Sequence, residues 1–253
     1  MTASTLMPLW RELPHAAGWL ARLSRDGGPA RVGAGAPDVL LIPGFLSVDD
    51  SLAALASTLA RAGRRPAFAG IGRNVGCSET TLERLELRLE TIVRDNGSPV
   101  ALVGHSRGGL FARVLAVRRP ELVDRIVTLG SPHRDERAVH PALWLGVRAL
   151  ALTGLGRYRC GTGGCCDGFT RDIAAPVPSE IDFVSIYSRR DGVVDWQACL
   201  DPAARQVEVA VAHLALTTAP PALAAVSAAL GCAPAVALWP RPRARMQLVG
   251  VAA

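Results

Sequence analysis

Ser106 is the residue of this chain whose surroundings best suit nucleophilic chemistry. It is the middle residue of Gly104-His105-Ser106-Arg107-Gly108, a G-x-S-x-G pattern. The apolar run at residues 100–103 predicts a buried strand, and residues 110–117 predict a helix that ends before Pro120. At such a strand-to-helix turn the serine hydroxyl is lifted clear of the backbone, and the helix start offers N–H groups to developing negative charge. The pattern predicts a serine nucleophile, with a tight turn bearing a surface serine as the competing interpretation.

A serine hydroxyl is a poor nucleophile at neutral pH, so it needs a base, and the base needs an orienting carboxylate. Among the five histidines, His213 follows the last predicted strand, residues 206–211, and is a candidate base. His133 follows the strand predicted at residues 123–129 and is the competing base. The other three lie beside the serine, in an N-terminal arm and in a presumed cap: His105, His15 and His140.

Two aspartates compete for the role of the orienting acid. Asp191 lies just past the strand predicted at residues 181–187, and Asp195 follows a few residues later. Asp182 opens the same strand at its far end, where it cannot reach the histidine. Asp191 is the predicted acid because it lies closest to the end of the strand.

Alternating strands and helices predict an α/β fold with a mostly parallel sheet. Ligands of such sheets bind outside the carboxyl ends of the strands. Four candidate residues each follow a predicted strand: Phe45, Ser106, Asp191 and His213. Their shared placement predicts one site at this edge.

The segment Leu41-Ile42-Pro43-Gly44-Phe45, followed by Gly104-His105-Ser106-Arg107-Gly108-Gly109, resembles the lipases and esterases of the α/β-hydrolase superfamily. The resemblance extends by order of parts over roughly residues 38–230. It implies an α/β-hydrolase fold, a mostly parallel doubly wound sheet with a small cap insertion. It also implies the order Ser…Asp…His, here Ser106, Asp191 and His213. The run from Ser188 to Val194 resembles the acid loop of these enzymes.

The same resemblance implies an oxyanion hole made of the backbone N–H groups of Phe45 and Arg107. The histidine usual before the glycine of this loop is replaced by Pro43, which leaves the backbone donor intact. An ordinary strand-to-helix turn is the alternative interpretation of the segment.

The function that the resemblance implies is cleavage of carboxylic esters through an acyl-enzyme, with no metal and no organic cofactor. The expected substrate is a small-molecule or lipid-like ester. An amidase, a thioesterase or an acyltransferase on the same fold is the alternative, because fold and triad do not separate these reactions. A non-catalytic relative used for binding is a further alternative.

The chain has 253 residues, of which 49% are hydrophobic, enough for one sizeable core. Residues 1–36 are predicted to form an N-terminal arm with an amphipathic helix at 6–23 that Pro14 disturbs. Residues 37–231 are the predicted α/β-hydrolase domain, and residues 232–253 a C-terminal tail.

Residues 134–180 do not fit another strand–helix unit and are predicted to form a cap over the site, helical at 139–152. Its apolar residues around Trp144 and Leu145 favour acyl or lipid-like esters. Three cysteines fall close together in this cap: Cys160, Cys165 and Cys166. Their spacing matches no standard zinc pattern, and a disulfide that closes the cap and free thiols both stay open.

Helix starts and one loop complete the sequence predictions. A helix at residues 51–62 is predicted with Asp49 or Asp50 as its N-cap. Thr80-Thr81-Leu82-Glu83 is a capping box that predicts the start of the next helix. The glycine-rich loop at residues 70–76 should lie near the site, either as a binding loop or as a plain connector.

The formal net charge is +6, and every basic residue apart from the histidines is an arginine. The arginines are scattered, aromatic residues make up only 5%, and no nucleic-acid motif is present, so we expect no nucleic-acid partner. Prolines break the uncharged run at residues 209–240, so no transmembrane segment is expected. No basic region followed by a long apolar core opens the chain, which favours a cytoplasmic protein. The sequence indicates no oligomeric state.

Overall fold

The computed structural model describes residues 9–23, 35–142 and 166–232. Six strands form its sheet: β1 (Val39–Ile42), β2 (Pro66–Phe68), β3 (Val100–His105), β4 (Val123–Leu129), β5 (Asp182–Tyr187) and β6 (Arg205–Glu208). Their order is β2-β1-β3-β4-β5-β6, and every neighbouring pair is parallel. The parallel α/β sheet predicted from the sequence is confirmed.

Six α-helices lie wholly within the described residues and accompany the sheet: α1 (Leu13–Leu23), α2 (Ala53–Arg61), α3 (Ser78–Asn96), α4 (Arg107–Arg118), α5 (Asp167–Ala174) and α6 (Pro220–Ala229). Helices α3, α4 and α5 pack with one another on one face of the sheet, and α2 and α6 pack on the other. The sheet is therefore covered on both faces, which explains why β1 and residues 100–103 of β3 are continuous apolar runs.

Strands β1 and β3 show how the pleat divides the core between the two faces. Both strands are buried along their whole length. Leu40 and Leu102 point to the face covered by α3, α4 and α5, whereas Leu41 and Val103 point to the face covered by α2 and α6. The alternation of side chains fixes the register of these two central strands, because a slip by one residue would exchange the faces.

Two predicted helix caps are wrong. A 3-10 helix at Asp49–Leu52 leads into α2, and its N-cap is Val48, without a capping side chain. Asp49 instead accepts a hydrogen bond from the backbone N–H of Gly70 at 3.0 Å. Helix α3 begins at Ser78, ahead of the predicted capping box, so Thr81 lies inside its first turn and its hydroxyl donates to the Cys77 carbonyl at 2.7 Å.

Residues 143–165, about half of the predicted cap, lie outside the described residues, and among them are Trp144, Leu145, Cys160 and Cys165. Of the helix predicted at 139–152, the described residues 141 and 142 are helical, whereas residue 139 lies outside the helix. Val139 instead forms an antiparallel bridge with Val194, so the start of this segment pairs with the loop that follows Asp191. Helix α5 closes the segment. Its N-cap Cys166 places its sulfur 3.7 Å from that of Cys77.

The described part of the N-terminal arm is a 3-10 helix at Leu9–Glu12 that continues into α1. Pro14 falls in the first turn of α1, where a missing N–H costs no helical hydrogen bond. The proline therefore sets the start of α1 instead of breaking the longer helix predicted at 6–23. Helix α1 lies against the 3-10 helices Asp49–Leu52 and His213–Ala215. No helix within the described residues is both long enough and apolar enough to cross a membrane.

Candidate active site

Ser106 occupies the junction between β3 and α4 in a strained conformation. Its backbone angles are φ 53° and ψ −121°, a region that non-glycine residues rarely enter. A Cβ at Gly104 would lie 2.3 Å from the Gly108 carbonyl oxygen, and a Cβ at Gly108 would lie 2.2 Å from that of Ile42. The two glycines therefore let α4 start directly against β1 and β3. Ser106 stands at the first turn of a helix, facing its positive end.

The turn after β1 lies against this junction. A Cβ at Gly44 would approach the Ser106 Cβ to 3.2 Å and the His105 Nδ1 to 3.0 Å. Leu46 has φ 58°, so the chain turns sharply just after Phe45. The structure thus brings Phe45, predicted to donate to an oxyanion, to the same edge of the sheet as Ser106.

Asn74, in the glycine-rich loop at residues 70–76, fastens the turn after β1. It is 2% exposed, and its side-chain amide donates to the Pro43 carbonyl at 2.8 Å. Its backbone carbonyl accepts from Leu46 N–H at 3.1 Å, and its N–H donates to Ser47 at 3.0 Å. This loop therefore supports the turn that carries Phe45. The sequence placed the loop near the site and did not identify Asn74 as its anchor.

The Arg107 side chain connects the strand-to-helix turn around Ser106, the elbow, to the same loop. Its guanidinium donates to the Asn74 side-chain oxygen at 3.0 Å, to the Gly76 carbonyl at 2.8 Å and to the Ser78 hydroxyl at 3.0 Å. It also lies over the Phe111 ring, 5.0 Å from its centroid. A planar guanidinium can satisfy several acceptors at once, so this residue orders the loop as well as starting α4.

Asp191 and His213 meet at the carboxyl ends of β5 and β6. His213 Nδ1 lies 2.6 Å from Asp191 Oδ2, and because a carboxylate only accepts, the Nδ1–H donates. The other oxygen of Asp191 accepts from Val193 N–H at 2.8 Å and Val194 N–H at 2.7 Å. Asp195, the competing acid, caps the following 3-10 helix by accepting from Gln197 N–H at 3.0 Å.

Charge around the imidazole favours its protonated form. Burial lowers the pKa of His213, but the Asp191 carboxylate beside it and the nearby Glu12 outweigh burial and raise the pKa above 6.5. His105 lies behind this ring, with the centroids 4.7 Å apart, and its Nε2–H donates to the His213 carbonyl at 3.2 Å. Burial, with a smaller effect of His213, lowers the pKa of His105 to about 3, so His105 is neutral at physiological pH.

His133, the competing base, belongs to a different cluster. Its Nε2 is hydrogen-bonded to the Thr128 hydroxyl at 2.9 Å, and its ring packs edge-on against Phe183 at 5.4 Å. Burial lowers its pKa to about 3, against an opposing effect of Asp201. The structure therefore pairs His213, and not His133, with Asp191.

Glu12, from the N-terminal arm, reaches the loops that carry Asp191 and His213. Its carboxylate is buried and accepts from the backbone N–H groups of Gly192 at 2.9 Å, His213 at 2.8 Å and Leu214 at 3.0 Å. Sequence reasoning missed this residue, because nothing local links it to loops almost two hundred residues away.

A cleft of about 670 Å³ lies between the N-terminal arm and the loops of the acid and the base. Trp10 and Arg11 line it on the arm side, and Arg190 and Ala212, the chain neighbours of Asp191 and His213, line it on the other. The arm therefore forms one wall of the space beside the candidate site.

The sequence of this chain is similar to one known protein family and, over a short stretch, to individual proteins. The family of the alpha/beta hydrolase fold matches residues 37–163. A triacylglycerol lipase of Pseudarthrobacter phenanthrenivorans is 40% identical over 45 residues, which cover 18% of this chain and 14% of that protein. The match thus spans about one seventh of the length of that relative.

Two solved structures are similar in fold over about four fifths of this chain. The mature form of a Bacillus licheniformis lipase superposes with a TM-score of 0.60 at 16% identity, covering 82% of this chain and 96% of that one. A monoacylglycerol lipase of Paleococcus ferrophilus superposes with a TM-score of 0.57 at 13% identity, covering 82% and 100%. At these identities the likeness concerns the fold.

Proposed function

The chain belongs to the alpha/beta hydrolase family, and on that premise we propose that it hydrolyses carboxylic esters with Ser106 as nucleophile, His213 as base and Asp191 as orienting acid. One observation carries the proposal. Ser106 is held with φ 53° at the strand-to-helix junction, at the same edge of the sheet as the buried Asp191–His213 pair. A strained backbone conformation costs free energy and persists only where the surrounding structure enforces it. Such residues cluster at active sites, so the strain at Ser106 supports a catalytic role.

The first half of the reaction acylates the serine. The Nδ1–H of His213 is committed to Asp191, so Nε2 is the nitrogen that accepts the proton from the Ser106 hydroxyl as Oγ attacks the ester carbonyl. The carboxylate of Asp191 stabilises the imidazolium that forms. The alcohol then leaves with the proton from His213, and water repeats the cycle on the acyl-enzyme.

The negative charge of the tetrahedral intermediate needs donors beside Ser106. The backbone N–H of Arg107 opens α4 directly after the serine, and the N–H of Phe45 belongs to the turn after β1 that lies against the elbow. In enzymes of this mechanism one such donor contributes about 3–4 kcal/mol to catalysis. Asn74 is bonded both to the turn after β1 and to the Arg107 side chain, so these hydrogen bonds fix the position of that turn relative to the start of α4.

The substrate class we propose is a lipid-like or small-molecule carboxylic ester. The similar proteins described above are lipases by name, which supports an acyl ester over other acyl derivatives. The proposed reaction needs no metal and no organic cofactor.

A fluorophosphonate probe and a series of p-nitrophenyl esters test the proposal together. The wild-type protein should be labelled at Ser106 and should hydrolyse the esters, whereas Ser106→Ala should lose both properties with its fold retained. Ser131→Ala is the matched control, because Ser131 is a buried serine that follows the neighbouring strand β4. Ester hydrolysis at the wild-type rate by Ser106→Ala would overturn the assignment.

A further inference from the structure

The N-terminal arm contributes one buried carboxylate to the loops of the candidate site. We propose that Glu12 is a positioning residue that fixes the loop of Asp191 and the loop of His213 in one mutual arrangement. This inference rests on the proposed function, since it extends the same site by one residue from a distant part of the chain.

The geometry matches the acceptor capacity of a carboxylate. Oε1 of Glu12 bridges the two loops, accepting from Gly192 N–H at 2.9 Å and from His213 N–H at 2.8 Å. Oε2 accepts from Leu214 N–H at 3.0 Å. All three partners are donors, so the side chain must present acceptors at both terminal positions, as an ionised carboxylate does. A glutamine in the same place would turn an N–H₂ group toward one of these donors.

The bonded peptide groups adjoin the two reacting side chains. Gly192 is the chain neighbour of Asp191, and a second donor is the backbone N–H of His213 itself. Asp191 and His213 approach each other at 2.6 Å across the same gap that Oε1 spans. A shift of either loop would misplace the imidazole relative to Ser106, and such misplacements reduce catalytic rates steeply.

The charge of Glu12 has a second effect on the base. The groups that face His213 are the Asp191 carboxylate on the acid loop, the Glu12 carboxylate on the arm and His105 from the elbow. His105 is neutral, because burial lowers its pKa to about 3. The two carboxylates raise the pKa of His213, and removal of one of them lowers that pKa.

Kinetics of the full-length Glu12→Gln variant on a p-nitrophenyl ester test the inference. We expect kcat to fall roughly 10- to 100-fold, as for a small displacement of catalytic groups, with KM changed less than about twofold. The acid limb of the pH profile of kcat/KM should move to lower pH, because the imidazole loses its proton more easily without the Glu12 charge. A wild-type kcat together with an unmoved acid limb would overturn the inference.

Glu12→Asp separates charge from reach. The shorter side chain keeps its negative charge but cannot span both loops, so kcat should fall while the acid limb moves less than in Glu12→Gln. Should Glu12→Gln fail to fold, Glu12→Asp decides alone, and a wild-type kcat in this variant would overturn the inference.

Asp38→Asn is the matched structural control. Asp38 precedes β1 at the amino edge of the sheet and accepts from Arg65 N–H at 2.7 Å, so it also fixes backbone by a carboxylate, far from the site. This variant should lower the melting temperature without moving the acid limb. If Glu12→Gln behaved in the same way, Glu12 would be a stability residue and the inference would be wrong.

The wild-type reaction with the fluorophosphonate probe distinguishes the two proposals. Absence of labelling at Ser106 in the wild type contradicts the proposed function. Labelling in the wild type, combined with an equal labelling rate in Glu12→Gln, contradicts the role of Glu12 alone.

Discussion

Individual residues at the candidate site are distinguished by their partners more than by their position in the sequence. Asp191 and Asp195 lie four positions apart, yet only Asp191 contacts His213, while Asp195 caps a 3-10 helix. His133 and His213 both follow strands, yet His133 is bonded to Thr128 within the core. Equivalent residue types therefore acquire different chemistry through their hydrogen bonds.

Substitution of the acid tests this distinction. Asp191→Asn should lower kcat by roughly 10⁴, because an amide cannot hold the imidazole tautomer or stabilise the imidazolium. Asp195→Asn, the control, should cost far less, since Asp195 contacts Gln197 and not His213. Ester hydrolysis kinetics measure both effects, and the reverse order of losses would exclude Asp191 as the acid.

The buried carboxyl of Asp49, which holds the first residue of the loop at residues 70–76, should make the free energy of unfolding depend on pH. Burial raises the pKa of Asp49 from 3.8 to about 6, against the opposing hydrogen bond from Gly70. The folded state therefore binds the proton more tightly than the unfolded state, so the stability it provides is complete below about pH 3.8 and is lost as the pH rises through 6.

Asp49→Asn removes this ionisation while keeping an acceptor for Gly70. The free energy of unfolding should rise by about 2–3 kcal/mol at pH 8 relative to wild type, and hardly at all near pH 3.5. Urea titrations at the two pH values measure the difference. Equal gains at both values would contradict the assignment.

At the scale of elements, the crossing of β1, β3 and α4 determines whether the elbow can form. Gly104 and Gly108 meet backbone atoms, which cannot move aside as a side chain would. The close approach is what places Ser106 beside the turn after β1. A larger side chain at this crossing should therefore destabilise the packing of the helix on the sheet, in addition to any effect on the proposed reaction.

Gly108→Ala should destabilise the fold by more than about 3 kcal/mol, because its Cβ would lie 2.2 Å from the Ile42 carbonyl oxygen. Gly18→Ala is the control within another helix. Nothing lies within 4 Å of a Cβ there, so this variant should be neutral or gain up to about 1 kcal/mol. Thermal unfolding compares the two, and similar melting temperatures would show that the crossing tolerates the methyl group.

The elements that the sequence predicts well are those specified by local pattern. The apolar runs of β1 and β3 and the glycines around Ser106 contain their own structural signal, since burial and close packing act on those residues directly. The N-caps predicted at Asp49 or Asp50 and at Thr80 are wrong, because a 3-10 turn precedes α2 and α3 begins earlier than its capping box predicts. Glu12 could not be predicted, because its partners come together only when the sheet is complete.

At the scale of the whole molecule, a buried ion pair joins elements that the sheet alone does not connect. Arg113 of α4 donates to Asp201 at 2.8 Å, and both side chains are 6% exposed. The same guanidinium also donates to the carbonyl of Ile173 in α5. This pair ties α4, the end of the described cap segment and the loop before β6 into one body.

Asp201→Asn should lower the free energy of unfolding by about 3–5 kcal/mol, since it leaves the Arg113 charge buried without its partner. Arg171→Ala is the control, because Arg171 is 77% exposed and its pair with Asp172 contributes little. Urea unfolding measures both, and losses of equal size would mean that the Arg113–Asp201 pair does not hold the elements together.

The contacts of Glu12 also bear on when the N-terminal arm can dock during folding. The three N–H groups that it binds lie in loops that exist only after β5 and β6 have joined the sheet. Contacts so distant along the chain carry a large loop-closure entropy and form late. We therefore expect the arm, the first part of the described chain, to reach its native place only once β5 and β6 have joined the sheet.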